Sequence, residues 1–451
     1  MNDRISQDVL SSLCEQVKKN NRIDPTFNEK YHVKTGLRNP DGSGVMAGLT
    51  KICSVHGYVI SEGEKEPTDG KLIYRGIDVR DIVSGAAAEG RFGFEETVWL
   101  FLFGELPTAE QLEHFQSLLA ICRELPEYFA EDIIIKTPSK DIMNKLQRCV
   151  LGLYAYDDNP DDTSLMNVLM QSINLIALMP SMMVWAYQVK RRHFDHESMF
   201  IHPNNPAHHT AEFILSSLRP NREFTDVEAK LLDLCLILHA EHGGGNNSTF
   251  TTRVVTSSGT DTYSAIGAAI GSLKGPRHGG ANIKVMAMLE DIKAGVKNHK
   301  DKGEIKDYLV KIMKREAGDG SGLIYGMGHA VYTLSDPRAI ILKENARSLA
   351  HEKGYGDDFD LLEAVEELTP EVFAEFKGDT KNICANVDLY SGLVYKSLNI
   401  PPELYTPIFA VARTAGWCAH RIEEIATCGR IIRPAYKAIM KKREYTPISE
   451  R

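Results

Sequence analysis

The sequence lacks several features that would place the protein in a specialised class. Its eight cysteines include no CxxC pair, and scattered cysteines in a 451-residue chain favour a reduced, cytoplasmic protein over a disulfide framework. The N-terminus has no apolar leader run, and its acidic residues argue against a transit peptide. No internal repeat or low-complexity tract is present. The chain is therefore expected to be an ordinary globular protein of two or three domains.

Positive net charge is also missing. The chain carries 52 lysines and arginines against 61 aspartates and glutamates, which gives a formal charge of −9 at pH 7. An acidic protein does not attract nucleic acid or an anionic membrane surface through its overall field, so we expect neither as a partner. If the ligands are small anions, a few arginines must bind them locally.

Charged residues are absent from one long stretch, residues 165–189, which by length could span a bilayer. The stretch contains Asn167, Gln171 and Pro180, and polar groups are costly in lipid unless protein groups pair with them. It therefore predicts a proline-kinked helix in the protein core.

Strand signals are few. Residues 52–60 and 71–74 flank the polar segment SEGEKEPTDG, which predicts one hairpin with its turn over residues 61–70. No alternation of strands and helices follows, so a doubly wound sheet is not expected.

Helical signals fill much of the remaining chain. The segments starting at Thr108 and Thr225 have the capping-box pattern, with Gln111 and Glu228 three residues later. Further helices are predicted over residues 166–189, 262–273, 282–294, 304–316, 337–353 and 404–426. These signals predict a mainly α fold with one minor N-terminal hairpin.

Four segments concentrate residue types that carry chemistry, and the first is LHAEHGGGNNST at 238–249. His239 and His242 are three residues apart, so on a helix ending there they would share one face. A histidine at that place could donate a hydrogen bond to an anion. The alternative is that it satisfies the last helical carbonyls.

The second segment is KGPRHGGAN at 274–282. His278 precedes a predicted helix, whose N-terminal dipole disfavours the imidazolium form, and a neutral histidine can donate to a carbonyl. The alternative is a histidine in a glycine–proline turn without a chemical role.

The third segment is YGMGHAVYTLSDPR at 325–338. Asp336 is predicted to cap a helix that begins at Pro337, which puts Arg338 in the first turn, where a cation opposes the helix dipole. An arginine in this position suggests a carboxylate site. The alternative is a side chain turned towards solvent.

The fourth segment is NVDLYSG at 386–392. Asp388 could simply cap the next helix. It could instead be a general base, which requires an ionised carboxylate in a largely dry pocket.

The four segments, followed by FAVARTAGWCAH (409–420) and IIRP (431–434), resemble the citrate synthase family, and bacterial members most of all. YRGIDVRD and FGELPTAEQL extend the resemblance towards the front of the chain. The spacings are similar too, since His278 lies 36 positions after His242, His329 lies 51 positions after His278, and Asp388 lies 59 positions after His329.

The resemblance implies three catalytic residues. Asp388 would remove a methyl proton from acetyl-CoA, His278 would donate to the thioester oxygen, and His329 would polarise the ketone of oxaloacetate. The carboxylates of oxaloacetate would be bound by four residues, His242, Arg338, Arg413 and Arg433. Citryl-CoA would then be hydrolysed to citrate and CoA, the reaction by which acetyl groups join the tricarboxylic acid cycle.

The resemblance also implies the architecture, an all-α citrate synthase fold with a minor N-terminal hairpin. A large helical domain would comprise residues 1–278 and 394–451, and a smaller inserted domain, residues 279–393, would close over it. Arg433 would be supplied across the interface of a homodimer, and the sequence leaves open whether a hexamer forms and whether NADH or ATP regulates it. Acetyl-CoA would be a substrate, and neither a cofactor nor a metal is implied.

The chain departs from common family patterns at Gly243, Thr333, Leu334 and Ala435. None of these positions is catalytic. Because some members carry charged residues there, no residue is assigned to the CoA phosphates.

Three alternatives remain at this stage. A 2-methylcitrate synthase acting on propionyl-CoA would use the same residues. A metallohydrolase would need a metal site built from histidines, His239 and His242 with His202, His208 and His209, although HAEH is not the HExxH zinc motif. A non-catalytic binding protein is disfavoured because all three catalytic positions are present.

Overall fold

The computed structural model describes residues 6–61, 64–377, 383–427 and 429–451, and helices dominate them, as predicted. The helices are α1 (Gln7–Asn21), α2 (Thr26–Lys30), α3 (Val79–Ala88), α4 (Phe94–Phe103), α5 (Ala109–Ile121), α6 (Ile142–Leu153), α7 (Leu165–Lys190), α8 (Thr210–Leu218), α9 (Asp226–His239), α10 (Asn247–Thr256), α11 (Thr262–Lys274), α12 (Ala281–Gly295), α13 (Lys302–Met313), α14 (Pro337–Glu352), α15 (Gly356–Lys377), α16 (Asp388–Ser397) and α17 (Tyr405–Thr427). The seven described cysteines are free, and Cys428 lies outside the described residues.

The chain forms two compact units. Residues 48–432 make up the larger unit, which contains helices α3 to α17. The terminal unit comprises residues 1–47 and 433–451, and within it Lys437 Nζ lies 5.9 Å from the Tyr31 ring centroid. The predicted division into a large domain and a small inserted domain stays a prediction.

Helix α7 is the apolar stretch that could by length and composition cross a membrane. It contains Pro180, and 72% of its apolar window is buried inside the protein. Its Asn167 and Gln171 side chains donate to the carbonyl oxygen of Asn159 and the carboxylate of Asp157. The prediction of a core helix is confirmed, because the protein itself satisfies these polar groups.

Helix α17 packs against α7 and is buried along most of its length from Tyr405 to Arg421.

The predicted capping boxes are confirmed as well. The hydroxyls of Thr108 and Thr225 each accept from the backbone N–H three residues later, at 3.2 Å.

The strands are β1 (Cys53–Ser61), β2 (Glu64–Tyr74) and the short β3 (Ile77–Asp78), in the antiparallel order β1-β2-β3. The hairpin is confirmed, but the turn predicted over residues 61–70 is wrong, because β2 begins at Glu64. The polar segment can pair because the far end of a two-stranded ribbon exposes its side chains to water, as the exposed Glu66 and Pro67 show. The register shifts between His56 and Tyr58, which leaves residues 68–70 without partners in the ladder.

Candidate active site

Two short segments far apart in the chain pair with each other and form the base of the site. Gly328 N donates to Cys384 O at 2.8 Å, and Asn386 N donates to Gly326 O at 2.9 Å. The side chain of Asn386 adds a bond from Nδ2 to Gly328 O at 2.9 Å. Gly326 adopts φ 81°, and a Cβ there would lie 2.9 Å from Leu389 Cα, so only glycine permits this approach.

Asp388 is the first residue of α16, directly after this pairing. Its backbone N–H donates to Asn386 Oδ1 at 3.0 Å, and the N-cap position of the helix is Val387. The alternative interpretation, in which Asp388 is the helix cap, is therefore wrong. Burial raises the pKa of Asp388 to about 6, although the positive charges of Arg338 and Arg413 partly oppose the rise.

His329 follows the other paired segment and is held in one orientation. Its Nδ1 accepts hydrogen bonds from Val331 N at 3.0 Å and Tyr332 N at 3.1 Å, and its ring stacks on Tyr332 with 4.6 Å between centroids. Because both backbone groups are donors, the proton of a neutral ring is on Nε2. His329 can therefore donate from Nε2 to a carbonyl oxygen.

Arg338 lies in the first turn of α14, after the predicted cap Asp336 and the predicted first residue Pro337, both of which are confirmed. The Asp336 carboxylate accepts from Arg338 N at 3.0 Å and also pairs with its guanidinium, at 3.1 Å to Nε and 2.8 Å to Nη2. Arg338 is 4% exposed, so the alternative of a solvent-facing side chain is wrong. Asp336 offsets the unfavourable helix dipole.

Arg413 and His242 are two further polar residues of the candidate site, in the unit formed by residues 48–432. Arg413 on α17 is buried, its Nε donates to His239 O at 2.6 Å, and its Nη1 has no hydrogen-bond partner among the described residues. The His242 ring lies 5.0 Å from the His329 ring. Burial and the charge of Arg338 hold the pKa of His242 well below its usual value, so the ring is a neutral donor.

His278 lies two residues before Gly280, which precedes the first turn of α12. Its Nε2 lies 3.4 Å from Ser248 N and 3.1 Å from Ser248 Oγ. Since the backbone N–H can only donate, Nε2 accepts and the proton is on Nδ1. Burial, with the charge of Arg413, lowers the pKa of His278 to about 4, so this histidine is neutral at physiological pH.

Helix α9 ends earlier than predicted, and this corrects the first motif. The helix stops at His239, so His242 lies in the following loop, and the expectation that the two histidines share a helix face is wrong. Side chains take the carbonyls that another turn would have used, since Arg413 bonds to His239 O and the Tyr74 hydroxyl lies 3.1 Å from Ile237 O.

The histidines of the metallohydrolase hypothesis do not converge. His239 is fully buried and stacks on Phe409 at 4.1 Å. His202 contacts Arg219 O, and the other two loop histidines contact neighbouring side chains. Among the described residues no three metal-ligating side chains form a cluster, so the hypothesis gains no support.

A buried charge network beside the site was missed from the sequence. Glu241 Oε1 lies 3.1 Å from His420 Nε2, and both side chains are fully buried. His420 Nδ1 accepts from Arg253 Nε at 3.0 Å, and Arg253 also pairs with Glu423 and Glu424. The negative charge of Glu241 also favours the charged form of the nearby Arg413. The HAEH and GWCAH motifs contain two of these residues, but spacing alone cannot show that they meet.

We expect Glu241→Gln to lower the free energy of unfolding by about 2 kcal/mol, because it weakens the buried hydrogen bond to His420 Nε2 and removes the negative charge that favours the charged form of Arg413. Urea denaturation measures the loss. The matched control is Glu367→Gln, which breaks an exposed pair with Lys302 and should cost less than about 1 kcal/mol. Equal losses in the two variants would contradict the role of the network.

Arg433, the seventh residue of the predicted site, belongs to the terminal unit and is exposed. The other six lie in the unit formed by residues 48–432. The residues that sequence reasoning missed are mainly supporting ones, Ser248, Tyr332 and Asn386, although all three lie inside or beside the motifs.

Comparisons with known proteins agree with this geometry. Residues 40–435 match the family model described as citrate synthase, C-terminal domain. The chain is 34% identical to a citrate synthase of Synechocystis sp. over 94% of its length and 95% of that protein. It is 33% identical to a 2-methylcitrate synthase of Shewanella oneidensis, over 84% of this chain and 92% of that protein. It also resembles the solved citrate synthase of Thermoplasma acidophilum in ternary complex with carboxymethyl coenzyme A and oxaloacetate, with a TM-score of 0.73, 26% identity, and coverage of 93% of this chain and 99% of that one.

Proposed function

The chain belongs to the citrate synthase family, and from that premise we propose how its own residues carry the reaction. It is an acyltransferase that condenses acetyl-CoA with oxaloacetate and releases citrate and CoA. Joining the two substrates requires three things, a base for a weakly acidic methyl group, donors for two carbonyl oxygens, and cations for two carboxylates.

Asp388 is the base in this proposal. A methyl group beside a thioester is a very weak acid, so its proton can leave only if the developing oxyanion is stabilised at the same time. His278 donates to that oxygen from Nδ1, and its low pKa means that it holds its own proton while doing so. The enol carbon then attacks the ketone carbon of oxaloacetate, while His329 Nε2 donates to the ketone oxygen. Water finally cleaves the thioester of citryl-CoA.

The carboxylates of oxaloacetate are held by arginines and by His242. Arg338 and Arg413 present planar guanidinium groups, which match carboxylates better than lysine does. Because they are buried, close pairs with a ligand outweigh the distant charges of an acidic protein. Arg433 is proposed to add a third guanidinium from the partner subunit.

The observation that carries the proposal is the pairing of the segments that precede His329 and Asp388, in the same unit as the buried Arg338 and Arg413. Burial has the largest effect, lowering the pKa values of His242 and His278 and raising that of Asp388, and the positive charge of Arg413 acts to lower all three. At pH 7 the result is two neutral histidine donors and an ionised carboxylate with raised basicity. General base catalysis next to a neutral donor requires this combination.

The same pattern predicts a pH profile. We expect log kcat/KM to fall with decreasing pH below about pH 6, because protonation of Asp388 in the free enzyme removes the base. His278, with a pKa of about 4, should add nothing to the profile until more acid conditions. Initial rates at substrate concentrations well below KM from pH 5 to 9 would show this, with circular dichroism to confirm that the protein stays folded. A flat profile down to pH 5 would contradict the assignment of the base.

We further propose a homodimer as the minimum working unit, a cytoplasmic location and a place in the tricarboxylic acid cycle. Closure of residues 279–393 over the remainder would exclude water and protect the enol and citryl-CoA from misplaced hydrolysis.

Side chains supply every acid, base and cation that the reaction needs, which supports turnover without a metal or cofactor. Undiminished activity after chelator treatment would test that point.

The function itself is tested by an assay for free CoA with oxaloacetate and either acetyl-CoA or propionyl-CoA. We expect the higher kcat/KM with acetyl-CoA. A clear preference for propionyl-CoA would establish the 2-methylcitrate synthase alternative, and no CoA release with either would overturn the proposed function.

A further inference from the structure

The hairpin β1–β2 packs directly against the loop that connects His329 to Arg338. Gly70 N donates to Ser335 Oγ at 3.0 Å, and Ser335 Oγ in turn donates to Asp69 Oδ1 at 3.0 Å. These contacts are made by the part of β2 that is left out of the strand ladder by the register shift. The irregularity thus frees the backbone N–H of Gly70 to bind the loop instead of β1.

The hairpin approaches this loop so closely that side chains are excluded at two positions. A Cβ on Gly57 would lie 2.5 Å from Val331 O, and a Cβ on Gly70 would overlap Ser335 O and lie 2.7 Å from Tyr332 Cδ1. Neither glycine has a positive φ, so the requirement for glycine comes from the approach of the loop and not from the backbone conformation.

The contacts reach the site through Tyr332. This tyrosine is 1% exposed, its hydroxyl lies 3.3 Å from Lys71 O on β2, and its ring stacks on His329. Its backbone N–H is also one of the two donors to His329 Nδ1. Any shift of the loop relative to the hairpin therefore changes both the position and the hydrogen bonding of the histidine.

The other end of the same loop leads into α14. Pro337 Cδ lies 3.0 Å from the position that a Cβ on Gly70 would take, and Asp336, the next residue back, holds the Arg338 guanidinium. The hairpin therefore supports the loop at both ends, next to the histidine and next to the arginine.

We propose that Gly57, Asp69 and Gly70 of the hairpin are positioning residues, which hold His329 and Arg338 at the spacing needed for one oxaloacetate molecule. The inference rests on the proposed function, because it takes the roles of these two residues from there. The hairpin acts through the loop and touches no reacting atom. It follows that substitutions in the hairpin that shift the loop should lower kcat/KM for oxaloacetate and leave the affinity for acetyl-CoA unchanged.

The first test is Gly70→Ala, with Gly85→Ala in α3 as the matched control, since nothing lies within 4 Å of a Cβ at Gly85. A misplacement of about 1 Å can cost about 100-fold in rate, so we expect kcat/KM for oxaloacetate to fall by about that factor in Gly70→Ala, with the KM for acetyl-CoA unchanged. The control should keep parental kinetics. Parental kinetics in Gly70→Ala, or an equal rise in the KM of both substrates, would overturn the inference.

Milder variants keep the inference testable if Gly70→Ala does not fold. Asp69→Ala removes the acceptor of the Ser335 hydroxyl and should lower kcat/KM for oxaloacetate several-fold, whereas Asp69→Asn keeps an acceptor oxygen and should restore it. Equal activity in the two variants would overturn the positioning role. Failure of the proposed function itself would look different, because the parent protein would then release no CoA.

Discussion

Replacing Asp388 by asparagine is expected to lower kcat by about 1,000-fold or more and, at the same time, to make the unliganded protein more stable above pH 7. The first effect follows from loss of the base. The second follows from the pKa of Asp388, which burial raises from 3.8 to about 6. An acid whose pKa is raised by folding binds more protons in the native state than in the unfolded state, so it destabilises the fold as the pH rises from about 4 to about 6.

A shift of this size corresponds to about 3 kcal/mol at most, which the neutral amide would recover. The melting temperature of the variant should therefore exceed that of the parent at pH 8 and approach it at pH 4. Calorimetric titration with oxaloacetate should still show binding, because the arginines and His242 remain. Substantial turnover by the variant would mean that another group is the base, and an unchanged melting temperature at pH 8 would contradict the burial argument.

The second large effect concerns Arg433 and the proposed dimer. Arg413→Ala and Arg433→Ala are each expected to be nearly inactive as pure proteins, since each removes a cation from the oxaloacetate site. Mixed in equal amounts and allowed to exchange subunits, they should regain about a quarter of the parental activity, because half of the dimers are then mixed and each has one complete site.

The control for this experiment is the same mixture without subunit exchange, which should stay inactive. A mixture of Arg413→Ala with Arg338→Ala should also stay inactive if both arginines act within their own subunit. In that case each site of a mixed dimer lacks one of the two arginines, so no complete site forms. No recovery in the first mixture would show that Arg433 does not serve the partner's site.

The order and spacing of the motifs in the sequence indicate a set of candidate residues, whose chemical roles stay a prediction. The helix-start preferences of Asp336 and Pro337 alone predict where α14 begins, and the structure confirms this prediction. The register of the hairpin could not be read in the same way. Its outer end is exposed to water, so hydrophobic alternation, the signal that fixes register, is weak there.

Other features depend on contacts between distant segments. The end of α9 is set by Arg413 and Tyr74, neither of which is near it in sequence. The proton positions on His278 and His329 follow from the partners Ser248 and Tyr332, which no spacing rule identifies. The alternative that Asp388 caps a helix agrees with its local sequence and is wrong because Asp388 is already the first residue of α16, one position after the N-cap Val387.

The pairing of Asn386 with Gly328 has a consequence for how the protein reaches its active form. Their side-chain bond joins positions 58 residues apart, so its formation closes a long loop of chain and carries a large entropic penalty until the helices between them have folded. Contacts of such long range form slowly compared with helices. During refolding, helical circular dichroism should therefore recover before enzymatic activity, and the delay between them would report the time at which the segments that carry Asp388 and His329 first pair.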